Sequence, residues 1–536
     1  MHSLPRRRFL TSCAKYGLAV ASMGALDCRL FNSPKSSSLR RFHLSTSPIA
    51  LQQAPELPAL AQAAGVTDVW LGAFLYGRWS APPDELEKIA IDLQQQGLAV
   101  HIINVPLGHP GNALGVEDAT ISSTPPRHWR NACTVDGTLY SGTSIHPPAI
   151  EENVKAMQAL QARGFDAVFL DDDFRVARYP GIIGGCFCDD CRDDFLKTQG
   201  YGMAEWQGLI ESVRQRNPDV VLRNWVHYWC DKLYGMFSTL QSAAPGIALG
   251  NMIMYLGAEK AGIPLAKFRN VPFRVGELMF DDRSFGRIKG KTDELFSALF
   301  HRRFAQPDLA YSETTAFPAD QLSAKNMAAK LTVSLIADVR NTMFMSGLNP
   351  FPLSHWDVLA PAMRKSARLH DKIAGHKPRG PFKHFWGWDS RLIGKDQPFS
   401  LFLATGIPFE VVDEMPTEGW VFLSDEDAAA VAQKRLVIRG SQPVVRRRAN
   451  VSAGRFIRMD ESLDDLFALK KRILPELKGV PYVAGEQPVV LAWYPSARRA
   501  LLWNVQEEPR TFKIVRDGRN LRTVTVAGLD VALVEI

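Results

Sequence analysis

From about residue 65 onward the chain repeats one pattern: a short apolar run, then a longer segment whose apolar residues fall on one helical face. Strands separated by helices pair in parallel through right-handed crossovers. The pattern therefore confines the chain to a closed barrel or an open doubly wound sheet. Eight strand candidates are read at 69–75, 100–105, 132–135, 167–170, 247–252, 273–279, 309–313 and 342–346. In the helix expected over 83–96, Leu86, Ile89, Ala90 and Leu93 share a face. An open sheet usually carries a Gly-rich phosphate turn after its first strand, and none is present. Eight such units fit a (β/α)8 TIM barrel, assigned to residues 46–376.

Beyond a helix at 361–375 the texture changes. Residues 377–482 read as a small α/β domain, with strands expected at 408–412, 420–423 and 436–439. Residues 483–536 read as strands separated by polar turns such as Asp517-Gly518, which suits a small β-sandwich. Residues 1–45 are read as an export signal and tether. Arg6-Arg7-Arg8-Phe9-Leu10 precedes a mild apolar stretch and resembles a twin-arginine signal, so a periplasmic or extracellular location is expected. Leu26-Asp27 before Cys28 departs from a lipobox, so no lipid anchor is assigned there. No later run reaches the length of a membrane span, so none is expected in the mature chain. The net charge of +7 is modest, the run 446–448 reads as a solvated turn, and no basic aromatic-studded module suggests nucleic acid as a partner.

Barrel enzymes carry their chemistry where strands end, at the C-terminal face. The run 167–170 leads into Asp171-Asp172-Asp173, three adjacent carboxylates that need protons, donors or cations nearby. Asp171 is read as structural, Asp173 as a general acid. The run 309–313 ends on Glu313, suited to a nucleophile or base. Asn104, Asn251, His355 and Trp356 follow other strands and are candidate substrate contacts; Glu277 and Asp281-Asp282 are further carboxylates, or caps of the next helix at Ser284. Cys186-x-Cys188-x-x-Cys191 crowds three thiols into six residues, spacing that suits a tetrahedral zinc with a fourth ligand from elsewhere. Cys230 reads as a buried thiol.

Carboxylates at the ends of strands four and seven resemble those of the large clan of retaining barrel glycosidases. Leu170-Asp171-Asp172-Asp173-Phe174 followed by Cys186-Phe187-Cys188-Asp189-Asp190-Cys191 is similar to family 42 glycoside hydrolases, the β-galactosidase group. That group has an Asp-Asn-Glu-Tyr acid/base segment and then a Cys-aromatic-Cys-x-x-Cys segment. The resemblance implies that Asp173 is the acid, Asp172 contacts the sugar and Glu313 is the nucleophile. It also implies that Cys133 completes a closed structural zinc site with Cys186, Cys188 and Cys191. The domain order resembles that family too: a barrel, a flavodoxin-like domain of the kind used for subunit contacts, which implies a homo-oligomer, and a small β domain. No organic cofactor is implied.

Two departures bear on chemistry. Aspartate stands at 173 where the family has glutamate, and at 172 where it has asparagine. A shorter acid widens the gap between the carboxyls; retention needs about 5–5.5 Å and inversion about 6.5–9.5 Å. The reading is a divergent glycoside hydrolase acting on an oligo- or polysaccharide. Two alternatives stay open: a non-catalytic carbohydrate-binding barrel, and a divalent-metal hydrolase built on Asp171, Asp172 and Asp173.

Overall fold

The computed structural model describes residues 39–107, 126–139, 144–171, 174–177, 180–253, 256–275, 279–347, 349–451 and 456–536. Eight parallel strands close the first domain: β1 (Arg41–Thr46), β2 (Asp68–Leu75), β3 (Ala99–Val105), β4 (Ala167–Leu170), β5 (Ala248–Ile253), β6 (Phe273–Val275), β7 (Ala310–Thr315) and β8 (Asn341–Met345). Each pairs with the next, and β1 pairs with both β2 and β8, so the sheet has no open edge.

Two expectations are corrected here. The first strand lies at Arg41–Thr46, inside the segment read as a tether. Its burial is almost complete, with Phe42 and Leu44 in the core. Conversely, 132–135 is no barrel strand: there Cys133 makes an isolated antiparallel bridge to Leu139. The two errors offset each other, so 167–170 and 310–315 remain strands four and seven.

Successive residues on a strand point to opposite faces. Trp70, Ile103, Ala167, Phe169, Tyr311 and Met343 point inward and fill the barrel axis. Ring centroids lie 4.5 Å apart for Trp70 and Phe169 and 4.9 Å for Phe169 and Tyr311. Gly250 makes room for Phe169, because a β-carbon there would sit 2.4 Å from its ring. The interior is thus a packed floor and not a pore. Two residues farther along, toward the C-terminal face, the same strands present Asp171, Glu313 and Met345.

The second domain is a five-stranded parallel sheet: β9 (Phe382–Phe385), β10 (Phe409–Val412), β11 (Trp420–Leu423), β12 (Gln442–Arg446) and β13 (Ile457–Met459). Its order is β10-β9-β11-β12-β13. That is the flavodoxin-like order 2-1-3-4-5. The strand expected at 436–439 lies instead at Gln442–Arg446. Arg446 is accordingly buried and not part of a solvated turn; it pairs with Glu461 at 2.8 Å. The C-terminal domain has two three-stranded antiparallel sheets. In one, Tyr482–Val483 pairs with Arg510–Arg516 and that strand with Arg519–Val526; in the other, Arg499–Trp503 lies between Val490–Tyr494 and Val531–Glu535. No helix among the described residues is long and apolar enough to cross a membrane.

Candidate active site

The short strand β6 presents Phe273 and Val275 to the outer hydrophobic core, which turns Arg274 inward. Arg274 is fully buried. Its Nη2 donates to Asp171 Oδ1, at the end of β4. Its Nε lies 3.3 Å from Glu313 Oε2, on β7. Methionine sulfurs also lie near its guanidinium: Met252 at 3.0 Å, Met343 at 3.1 Å and Met345 at 3.8 Å. Thr315 donates its hydroxyl to Glu313 Oε1. Asp171 and Glu313 are 5% and 2% exposed, so their mutual repulsion is not screened by bulk water. Burial lifts the Glu313 carboxyl above its usual range; Arg274 opposes this, Asp171 reinforces it, and Thr315 and Lys330 oppose it further.

Asp171, read from the sequence as structural, is therefore part of this cluster. Arg274 was missed. The one signal for it was a lone arginine in an apolar run, in a chain whose acidic triplet needed a cation. Asp172, Asp173 and Glu277 lie outside the described residues.

The other candidates lie elsewhere. Asn104 follows the inward Ile103 and faces the helices. Its Oδ1 accepts from Phe74 N–H at 3.0 Å and its Nδ2 lies 3.7 Å from Met157 Sδ. Asn251 lies between the inward Gly250 and Met252 and is fully buried on the outer face. Trp356 is 4% exposed and packs on Phe344 and Phe351, sealing the barrel wall. His355 is buried beside it, with Nδ1 3.0 Å from the Pro352 carbonyl. None of these four joins the Asp171–Arg274–Glu313 cluster. Asp281 caps the short helix Asp282–Phe285 by accepting from Ser284 N–H at 2.7 Å.

A second cluster lies between the loop after β3 and the loop after β4. Ligand atoms of His146, Cys186, Cys188 and Cys191 lie within 4.8 Å of one another. Cys133 adjoins them: its N–H donates to Cys186 Sγ at 3.4 Å and its carbonyl accepts from Phe187 N–H at 2.9 Å. Its thiol is not among the four gathered atoms. His146, at the start of the helix Pro147–Ala162, joins the three cysteines and carries no spacing signal in the sequence, while the Cys133 thiol hydrogen-bonds with Cys186 beside them. The Cys191 thiol hydrogen-bonds to Cys186, holding that sulfur toward the thiolate against its burial. Burial pushes the Cys133 thiol up. All five cysteines among the described residues are free thiols. Three thiols and an imidazole this close, with a backbone N–H aimed at one sulfur, fit a tetrahedral zinc. Cys230 is buried apart from them, against the Glu259 carbonyl at 3.4 Å.

Fold and cluster together define a closed (β/α)8 barrel with carboxylates from strands four and seven at its C-terminal face, followed by flavodoxin-like and β-sandwich domains. Among solved structures, the β-galactosidase from Rahnella sp. R3 superimposes with a TM-score of 0.57 at 12% identity, covering 94% of this chain and 98% of that one. The β-galactosidase from the psychrophilic Marinomonas ef1 gives 0.58 at 10% identity, covering 92% and 99%. The likeness at this identity is one of fold, across nearly the whole of both chains. No protein-family model and no curated protein matches the sequence.

Proposed function

We propose that this protein is a glycoside hydrolase that cleaves O-glycosidic bonds of an oligo- or polysaccharide by a two-carboxylate mechanism. The observation that carries the reading is the meeting of Asp171, from the end of β4, and Glu313, from β7, on the single guanidinium of Arg274. The acidic run of strand four and the carboxylate of strand seven thereby serve one end of one barrel. In this reading Asp173 protonates the departing glycosidic oxygen. Glu313 attacks the anomeric carbon, or activates water if the reaction inverts. The three thiols and His146 would hold a structural zinc that braces the loop beyond Asp173. The arginine run at the N-terminus supports export, so the substrate is extracytoplasmic.

The test is hydrolysis of a panel of aryl glycosides, together with reducing ends released from polysaccharides. Asp173→Asn and Glu313→Gln are each expected to lower kcat/KM by about 10²–10⁴-fold. Azide should rescue the first variant with one anomer of the glycosyl azide and the second with the other, which identifies the role of each carboxyl. Saccharide binding without hydrolysis by the wild type would favour the carbohydrate-binding barrel. Activity abolished by a chelator and restored by a divalent cation would favour the metal-dependent hydrolase.

A further inference from the structure

We infer that Arg274 is a positioning residue of this site, whose guanidinium, shared between Asp171 and Glu313, sets the orientation and charge of the Glu313 carboxylate. The inference rests on the reading of Glu313 as nucleophile or base.

An arginine with no exposed surface has lost its hydration and must find compensating charge. Among the described residues, methionine sulfurs also lie against it, and these are weak acceptors beside the two carboxylates. The planar fork serves both acids at once: the Nη2 side is taken by Asp171 and the Nε side faces Glu313 at 3.3 Å. A lysine ammonium is a point charge and lacks this two-sided geometry. Glu313 Oε1 accepts from the Thr315 hydroxyl, and Oε2 lies in ion-pair range of Arg274 Nε without a hydrogen bond.

One cation, among the described residues, lies between two buried carboxylates. Among the described residues, the charged and polar groups acting on Glu313 come from four elements. Asp171 follows β4, Arg274 lies on β6, Thr315 shares β7, and Lys330 lies on the helix Ala324–Ile336. Lys330 is itself committed to Glu294 at 2.6 Å. Arg274 is therefore the nearest positive charge that Glu313 can use, and it shares that charge with Asp171. The arrangement makes a signed prediction. Removing Arg274 moves proton release by Glu313 to higher pH. Removing the charge of Asp171 frees Arg274 for Glu313 and moves it to lower pH.

The experiment follows the carboxyl band of Glu313 by infrared spectroscopy across a pH series, assigned by difference against Glu313→Gln. The proteins compared are the wild type, Arg274→Met, Arg274→Lys and Asp171→Asn. Arg274→Met suits the methionine-lined pocket, and its protonated band is expected to persist about one pH unit or more higher than in the wild type. Its kcat/KM on an aryl glycoside should fall by about 10²–10³-fold, with the acidic limb of the profile moved the same way. Arg274→Lys should restore the limb but not the full rate. Asp171→Asn should shift the band downward. Titration of Glu313 unchanged in the folded Arg274→Met and Asp171→Asn proteins overturns the inference. Should Arg274→Met not fold, an unchanged band in Asp171→Asn does so alone. A wild type without hydrolytic activity would remove the glycosidase reading while leaving the infrared shifts to decide the role of Arg274.

Discussion

At the scale of single residues, Glu313 illustrates how a site is set against stability. Its folded-state pKa is raised, chiefly by burial. For a carboxyl raised on folding, the unfolded chain gives up its proton first as pH rises. Stability is therefore lost between the unfolded pKa, about 4.3, and the higher folded value. Glu313→Gln removes that loss while keeping shape and the Thr315 contact. The variant should melt at a higher temperature than the wild type at neutral pH, with the difference shrinking toward pH 4. Melting curves across this range check it; equal midpoints throughout would mean that Glu313 is not held at a cost. The same residues show what was legible beforehand. The two strand ends that matter follow from the position of acids after apolar runs. Asn104 and Asn251 follow from the same rule, but a strand end does not say which face a side chain takes. Ile103 and Gly250 face inward, so their successors face the helices. Arg274 needed the opposite insight, that an unbalanced run of acids implies a cation elsewhere in the barrel, here two strands away.

Among the elements, β1 is the least legible and the most exacting. It lies in a basic, serine-bearing stretch after the signal-like segment, and its composition gives little hint of burial. What makes it a strand is its position between β8 and β2, the two neighbours that it joins by parallel ladders. Arg40, just before it, is buried and donates to Thr342 at 2.7 Å and to Ser334. His43, within it, accepts from Trp70 Nε1 at 3.2 Å under the barrel floor. The false strand at 132–135 had the apolar texture of β but belongs to the thiol cluster, where Cys133 and Phe187 bond through their backbones. A chain beginning at Leu39 should therefore fold and melt cooperatively. One beginning at Ser47 leaves β2 and β8 with unpaired backbone groups and should be insoluble or molten. Circular dichroism and melting of the two truncations check this, and a cooperative melt from the shorter chain would show that β1 is dispensable.

For the molecule as a whole, the barrel and the flavodoxin-like domain are joined by buried charges. Lys260 and Asp396 pair with side chains 1% exposed on each side, and Asp396 Oδ2 also accepts from Gly181 N–H at 2.9 Å. Glu259 and Arg391 form a two-pronged pair beside them, with Nε to Oε2 at 3.0 Å. Trp386, at the end of β9, donates from Nε1 to the Leu256 carbonyl at 3.2 Å. Gly181 is pressed against the second domain, for a β-carbon there would lie 2.9 Å from the Lys395 carbonyl, at a φ of +79°. The loop held in this way is the one that follows strand four and its acidic run, so the second domain braces the barrel where the chemistry is proposed. Coupling of this kind predicts a single thermal transition for both domains in the wild type. Asp396→Ala leaves Lys260 buried without its carboxylate, a change that costs about 3–5 kcal/mol. It also releases the Gly181 loop. Calorimetry of the variant should show the transition split or moved down by several degrees. The proposed glycosidase activity should fall with it, although Asp396 lies outside the Asp171–Arg274–Glu313 cluster. A variant with the wild-type midpoint and full activity would mean that the two domains are adjacent but energetically independent, and that the strand-four loop is held by the barrel alone.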